Sequence, residues 1–224
     1  MLDGLVLGIS ARASLTEAAE RYASHLEEAA SFLAGRGVSE EVARMSRLGC
    51  VVDPAPGHER FAGWVSLPYV TDAGVVAFKF RCQGEHDCKA VKCQRYDSPP
   101  GQKARLFNAR ACSDGGPVVV VCEGELDALV GMSQLGVPCV GTPGTTFLEH
   151  WARVFGDFDR VVVVADHDSK SDGTDPGLKH AKKVLADIRK VHENVDLVLP
   201  PAGADLGEWI ADKGAETVRE AMGL

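Results

Sequence analysis

The chain has 224 residues, a formal net charge of -8, 45% hydrophobic and 25% charged residues. That is an ordinary globular mix, which excludes a fibrous, collagen-like or largely disordered chain. No apolar run approaches the roughly 18–20 residues that span a bilayer, and Asp3 with no basic cluster at the start does not fit a secretory signal, so a cytoplasmic, non-membrane protein is expected. Ser14-Leu-Thr-Glu17 reads as a capping box. Leu15, Ala18, Tyr22, Leu26, Ala29 and Leu33 then repeat at three- or four-residue spacing, predicting a helix that ends at Gly35 and Gly37. Ser39 begins a shorter helix, with Glu40 and Glu41 suited to its positive end. Segments 60–70 and 75–82 are rich in Val, Phe, Trp and Tyr, and Asp72-Ala73-Gly74 between them reads as a hairpin turn.

The second half changes rhythm. Val118–Cys122 is a continuous apolar run suited to a strand buried on both faces, Val161–Ala165 reads as another buried strand, and Val137–Val140 and Val195–Leu199 read as two further strands. Helices are predicted between them at about 125–135, 146–155 and 176–190. The alternation implies an α/β fold, a four-stranded parallel sheet with helices on both faces, preceded by a smaller α+β unit. Ser113-Asp-Gly-Gly-Pro117 is the candidate boundary. This divides the chain into an N-terminal α+β basic subdomain at 1–112 and a second subdomain at 113–224.

Charge is unevenly placed. Residues 79–110 hold eight basic side chains (Lys79, Arg81, Lys89, Lys92, Arg95, Lys103, Arg105, Arg110) and three acids, a local +5 against -13 elsewhere. Such an island is either a polyanion-facing surface or a solvated loop. Within it, Cys82, His86, Cys88 and Cys93 place three thiols and an imidazole in twelve residues. Those ligand types could complete a Zn²⁺ site, although the spacing matches no standard finger; the alternative is a hairpin tip with free thiols. Seven cysteines, an odd count, do not suit a disulfide framework.

Ligands of open parallel sheets sit beyond the carboxyl ends of the strands. Glu123-Gly124-Glu-Leu-Asp127 follows the first strand, Asp166-His167-Asp168 the third, and a loop ending in Asp205 the fourth. Carboxylates crowded at one rim repel unless a cation neutralises them, and hard oxygen ligands suit Mg²⁺ or Mn²⁺. Gly124 lets a phosphate or metal approach the backbone.

Glu123-Gly124-x-x-Asp127 followed by Asp166-x-Asp168 resembles the Toprim signature. The first half narrows the resemblance. Phe32 to Gly49, Trp64 to Phe80 and Arg95-Tyr96-Asp97-Ser98-Pro99-Pro100 are similar to the successive segments of bacterial and bacteriophage-type DNA primase cores. Pro200 to Glu208 resembles their closing acidic loop. The likeness covers roughly residues 28–212. One departure is that Ser169 to Thr174 stand before Asp175-Pro176-Gly177, where family members run directly into a helix.

The resemblance implies a Toprim catalytic subdomain behind a template-facing one, in a core without zinc-ribbon or helicase domains. It implies a metal-dependent nucleotidyltransferase, a primase synthesising short RNA primers on single-stranded DNA for replication, in a bacterial host cytoplasm if phage-encoded. Glu123, Asp166 and Asp168 would be catalytic and metal-binding, with Asp127 and Asp205 as further metal positions. Lys79, Arg81, Arg95, Lys103, Arg105 and Lys179 would hold the template or ribonucleoside triphosphates, and a replicative helicase is a further expected partner. Two alternatives remain at this level: a Toprim nuclease or RNA-processing enzyme, and a non-catalytic single-strand-binding module.

Overall fold

The structure is a computed structural model that describes residues 7–167 and 173–224. The chain forms two compact units: Met1–Gly35 with Glu40–Lys103, and Arg36–Ser39 with Ala104–Leu224. Residues 104–112, which the sequence reading puts before the boundary, belong to the second unit. Phe107 there exchanges backbone hydrogen bonds with Gly141, at 2.8 and 3.2 Å.

The first unit begins with α1 (Ile9–Ala23), α2 (Glu27–Gly35) and α3 (Glu40–Met45). The expected capping box at Ser14 does not start α1, whose N-cap is Gly8. Ser14 lies inside the helix and its hydroxyl donates to the Ser10 carbonyl, while Glu17 pairs with Arg21 one turn on. The apolar stripe is not one helix either: a turn over 24–26 separates α1 from α2 while keeping Tyr22, Leu26, Ala29 and Leu33 buried. An antiparallel sheet follows in the order β1 (Gly49–Cys50), β2 (Val65–Thr71), β3 (Gly74–Arg81) and β4 (Tyr96–Asp97). The predicted hairpin is β2–β3, and Gly74 takes the φ of +103° that a side chain would resist.

The core of this unit is aromatic. Phe61, Phe78 and Phe80 surround His58, which is 5% exposed. The Tyr22 hydroxyl accepts from the Ala55 N–H at 2.9 Å and lies 2.8 Å from His58 Nδ1. With the oxygen accepting from that N–H, the hydroxyl proton is available to Nδ1 of a neutral imidazole. Burial pushes the His58 pKa below its usual 6.5. The unfolded chain therefore binds a proton that the folded chain refuses as pH falls below that value. Stability from this site is complete above about pH 6.5 and is lost on acidification. We expect wild type to lose thermal stability more steeply than His58→Gln between pH 7.5 and 5; parallel curves would show that His58 is not held neutral.

The second unit carries a parallel sheet of β5 (Val119–Glu123), β6 (Cys139–Thr142), β7 (Val161–Val164) and β8 (Val195–Val198) in the order β6-β5-β7-β8. Val119, Val121, Val161 and Val163 point to one face, where they pack with α5 (Pro176–Ile188) and the 3₁₀ segment Glu149–Phe155. The alternate residues Val120, Cys122, Val162 and Val164 are also buried. Burial on both faces explains the unbroken apolar runs, and each such side chain contributes about 1.5–3 kcal/mol. The segment expected as a helix at 146–155 is this 3₁₀ turn. Helix α4 (Glu125–Leu135) packs on β5 and β6 and contacts α6 (Leu206–Lys213) and α7 (Ala215–Met222).

Candidate active site

In this sheet β5 and β7 are neighbours, so the two acids that leave their carboxyl ends are brought together across 43 residues of sequence. Glu123 ends β5 opposite Thr142 of β6. The chain then turns at Gly124, whose φ of +92° is one that L side chains rarely adopt, and its N–H is held by the Thr142 carbonyl at 3.0 Å. Asp166 follows β7 by two residues, after Ala165 donates to the Val198 carbonyl. Glu123 and Asp166 line one small cavity together with Thr142, Gly177 and His180. Gly177 is required there, because a Cβ would run into the backbone carbonyl of Asp166.

Sequence reasoning missed His180. Its Nε2 lies 2.9 Å from the Thr142 hydroxyl, which itself donates to the Gly144 carbonyl at 2.9 Å. The imidazole is therefore the donor at Nε2. Burial first, and Lys183 second, lower its pKa and keep it neutral beside the carboxylates. The available signal was its place on α5, one turn after the Gly177 that touches Asp166.

His167 fastens two loops together. Its backbone N–H donates to Ala204, its carbonyl accepts from Gly203, and its ring Nδ1 donates to the Pro200 carbonyl at 3.0 Å. These bonds tie the loop after β8 to the loop after β7. Asp175 caps α5 by accepting from the Leu178 N–H at 2.8 Å. Asp168 lies outside the described residues, as do 169–172.

The fastened loop delivers Asp205 to the start of α6. Asp205 and Glu208 form a reciprocal capping box there. Asp127 of α4 accepts from the Gly207 N–H at 3.2 Å. A side chain on Gly207 would begin 3.3 Å from an Asp127 oxygen and 3.4 Å from an Asp205 oxygen, so the two carboxylates flank the same glycine. Burial first, and the Asp205 charge second, push the Asp127 pKa up to about 8, against the Gly207 hydrogen bond and Arg36, which favour the carboxylate. Four acids, Glu123, Asp166, Asp127 and Asp205, thus stand at the carboxyl edge of one sheet and its following helices.

The sign of the Asp127 effect gives a test. Its folded pKa lies above the unfolded value, so the native state holds a proton that the unfolded chain has released. Stability is present below about pH 4 and is lost as pH rises towards 8. Asp127→Asn keeps the oxygen that accepts from Gly207 and removes the charge. In metal-free protein, denaturant unfolding should find this variant more stable than wild type at pH 9, with the difference shrinking at pH 5. Equal curves at pH 9 would mean that Asp127 bears no such penalty.

The basic side chains are distributed over both units. Lys79 lies over the Tyr96 ring at 5.0 Å, and Arg81 lies over Phe32 and Tyr96 at 5.2 and 5.1 Å. The Arg81 guanidinium also donates to the Cys82 and Arg95 carbonyls, so much of it is committed within the fold. Arg95 and Lys103 are exposed, and burial lowers the Arg105 pKa. Lys179 is exposed on the first turn of α5. Lys183, also on that helix, is instead held by Asp187 and the Phe147 carbonyl. Among the described residues no helix is long and apolar enough to cross a membrane.

No protein-family model matches the chain. It is 26% identical over 168 residues to the Gene 57 protein of Mycobacterium phage D29, covering 72% of this chain and 99% of that protein. Among solved structures it is similar to the Aquifex aeolicus primase comprising zinc-binding and RNA polymerase domains. That match has a TM-score of 0.75 and 22% identity, and it covers 100% of this chain and 63% of that one. This chain therefore spans less than two thirds of the Aquifex structure. A primase catalytic domain bound to single-stranded DNA matches with a TM-score of 0.73 and 18% identity, over 96% of this chain and 82% of that one. The chain has the fold of bacterial primase catalytic cores, as the resemblance implied.

Proposed function

We propose that this chain is a primase, a nucleotidyltransferase that makes short RNA primers on single-stranded DNA. The observation that carries the reading is the convergence of Glu123 and Asp166, from adjacent parallel strands, on one cavity in a fold shared with primase cores. Asp127 and Asp205 flanking Gly207 add a second acidic pair. This donor set of carboxylate oxygens fits Mg²⁺ or Mn²⁺. Glu123 and Asp166, with Asp168, would hold the catalytic ion, and Asp127 and Asp205 a further one. When bound, a divalent ion supplies Lewis acidity to the attacking hydroxyl and to the departing pyrophosphate.

In the reaction the 3′-hydroxyl of one ribonucleotide attacks the α-phosphorus of the next. The bond to pyrophosphate breaks, and the hydroxyl proton goes to a base. Glu123 either takes that proton or serves only as a ligand. Gly124 and Gly177 keep the site free of side chains where backbone and carboxylates must approach. Lys179 offers an exposed ammonium to the triphosphate, and Arg105 a guanidinium. Lys103 and Arg95 of the first unit, with Lys79 and Arg81, meet the template phosphates. Host-cell cytoplasm and a helicase partner belong to the same reading.

The test is incubation with single-stranded DNA, the four ribonucleoside triphosphates and Mg²⁺ or Mn²⁺. Short RNA products that depend on template and metal support the reading. Strand cleavage without synthesis would replace it with the nuclease alternative.

A further inference from the structure

We propose that Cys82, His86, Cys88 and Cys93 form a tetrahedral Zn²⁺ site that fastens the connection between β3 and β4. Residues 82–95 make this connection, and its four side chains form a group of metal-ligating donors placed to hold one ion. One ligand atom from each lies within 4.8 Å of all the others. Cys82 Sγ is 3.6 Å from His86 Nε2 and 3.9 Å from Cys93 Sγ, and His86 Nε2 is 3.0 Å from Cys93 Sγ. Zinc bonds of about 2.3 Å to sulfur and 2.0 Å to nitrogen put tetrahedral ligands about 3.5–3.8 Å apart. The cluster already approximates that frame. Thiolates with imidazole select a soft or borderline ion over Mg²⁺ or Ca²⁺.

Local structure serves this convergence. The His86 N–H donates to the Gly84 carbonyl at 2.9 Å, folding the ring back over Gly84, where any side chain would strike the imidazole. Cys82 is buried just after β3, and its N–H donates to the Arg95 carbonyl at 3.1 Å, so the two arms already meet at their base. Beyond that base the segment has almost nothing apolar to bury: Gly84, Glu85, Asp87, Lys89, Ala90, Lys92 and Gln94 are exposed, and Val91 is 57% exposed. A fourteen-residue connection with no core of its own needs a staple to hold one conformation. Binding converts three thiols to thiolates and releases their protons to solvent, leaving a complex of charge -1. Lys89, Lys92 and Arg95 outnumber Glu85 and Asp87 on the same segment by one charge, which offsets it.

The site is structural, since all four positions for ligands are filled by protein. It is distinct in ligand chemistry from the carboxylates of the second unit, and its existence does not depend on the polymerase reading. The consequence is that the exposed basic tip at 89–95 has a fixed shape only while metal is bound.

Purified full-length protein should contain one zinc per chain. Co²⁺ exchange should give the intense visible bands of tetrahedral thiolate coordination. Cys88→Ser and Cys93→Ser should each lose at least about tenfold in zinc affinity, whereas Cys112→Ser, elsewhere in the chain, should retain one equivalent. Chelation of wild type should expose Lys89, Lys92 and Arg95 to trypsin, and added zinc should restore protection, a readout that needs no folded variant. Zinc-free wild type that fails to take up an equivalent, or tryptic cutting indifferent to metal, would overturn the proposal. Neither result would bear on primer synthesis, which is scored separately.

Discussion

Asp166→Ala should lower primer synthesis by about a hundredfold to a thousandfold while leaving the protein folded. Asp166 follows the end of β7, outside the strand itself. It lines the same cavity as Glu123, so its removal halves the carboxylate pair there. On the proposed reading Asp166 holds the catalytic ion; loss of a metal ligand forfeits several kcal/mol of transition-state stabilisation, and each 1.36 kcal/mol is a factor of ten. Initial rates of RNA synthesis, read beside circular dichroism and thermal melting, provide the check. A variant that melts like wild type and still makes primers at the wild-type rate would remove Asp166 from the chemistry.

Gly177→Ala should be destabilising, which reverses the usual sign. Within a helix, alanine is ordinarily better than glycine by roughly 0.5–1 kcal/mol. At Gly177 of α5 the new methyl would meet the Asp166 backbone carbonyl and Cβ, neither of which is the far end of a flexible side chain. Relief requires α5 or the loop after β7 to move. Overpacking of this kind costs about 1–3 kcal/mol, and each kcal/mol lowers the melting midpoint by about 2–4 °C in a chain of this size. The same shift displaces Asp166, so synthesis should fall by at least about tenfold. A melting midpoint at or above wild type would show that the packing is looser than these contacts imply.

The parts of this fold that the sequence displays are those where one physical demand dominates. Strands β5 and β7 lie in the middle of the sheet and are buried on both faces, so their valine runs stand out without any alternation to interpret. Glu123 and Asp166 could be placed because a parallel sheet directs whatever follows its strands to one edge. The start of α1 could not: Ser14-Leu-Thr-Glu17 is a valid cap by local chemistry, yet the preceding residues also form helix, and the serine then bonds back to Ser10. The 3₁₀ form of 149–155 was equally hidden, because Trp151, Ala152 and Phe155 satisfy a helical apolar pattern in either geometry. Helices α6 and α7 follow the acidic loop and were passed over. Asp205 announces α6 only through its pairing with Glu208.

Within the site, roles carried by backbone atoms were the ones that side-chain identities concealed. His167 looked like a loop residue between two acids, and what fixes it is a set of bonds to residues 200, 203 and 204. Asp175 stood only as the first residue of the Asp175-Pro176-Gly177 run and is a helix cap. His180 was legible only once Gly177 placed its helix turn against Asp166.

The seam between His167 and Pro200–Ala204 has an evolutionary consequence. Two stretches far apart in the gene inherit a shared fate, because neither can drift in length or shape without dragging the other. Laboratory selection for altered nucleotide preference should therefore recover paired changes on either side of this seam, each poorly tolerated alone.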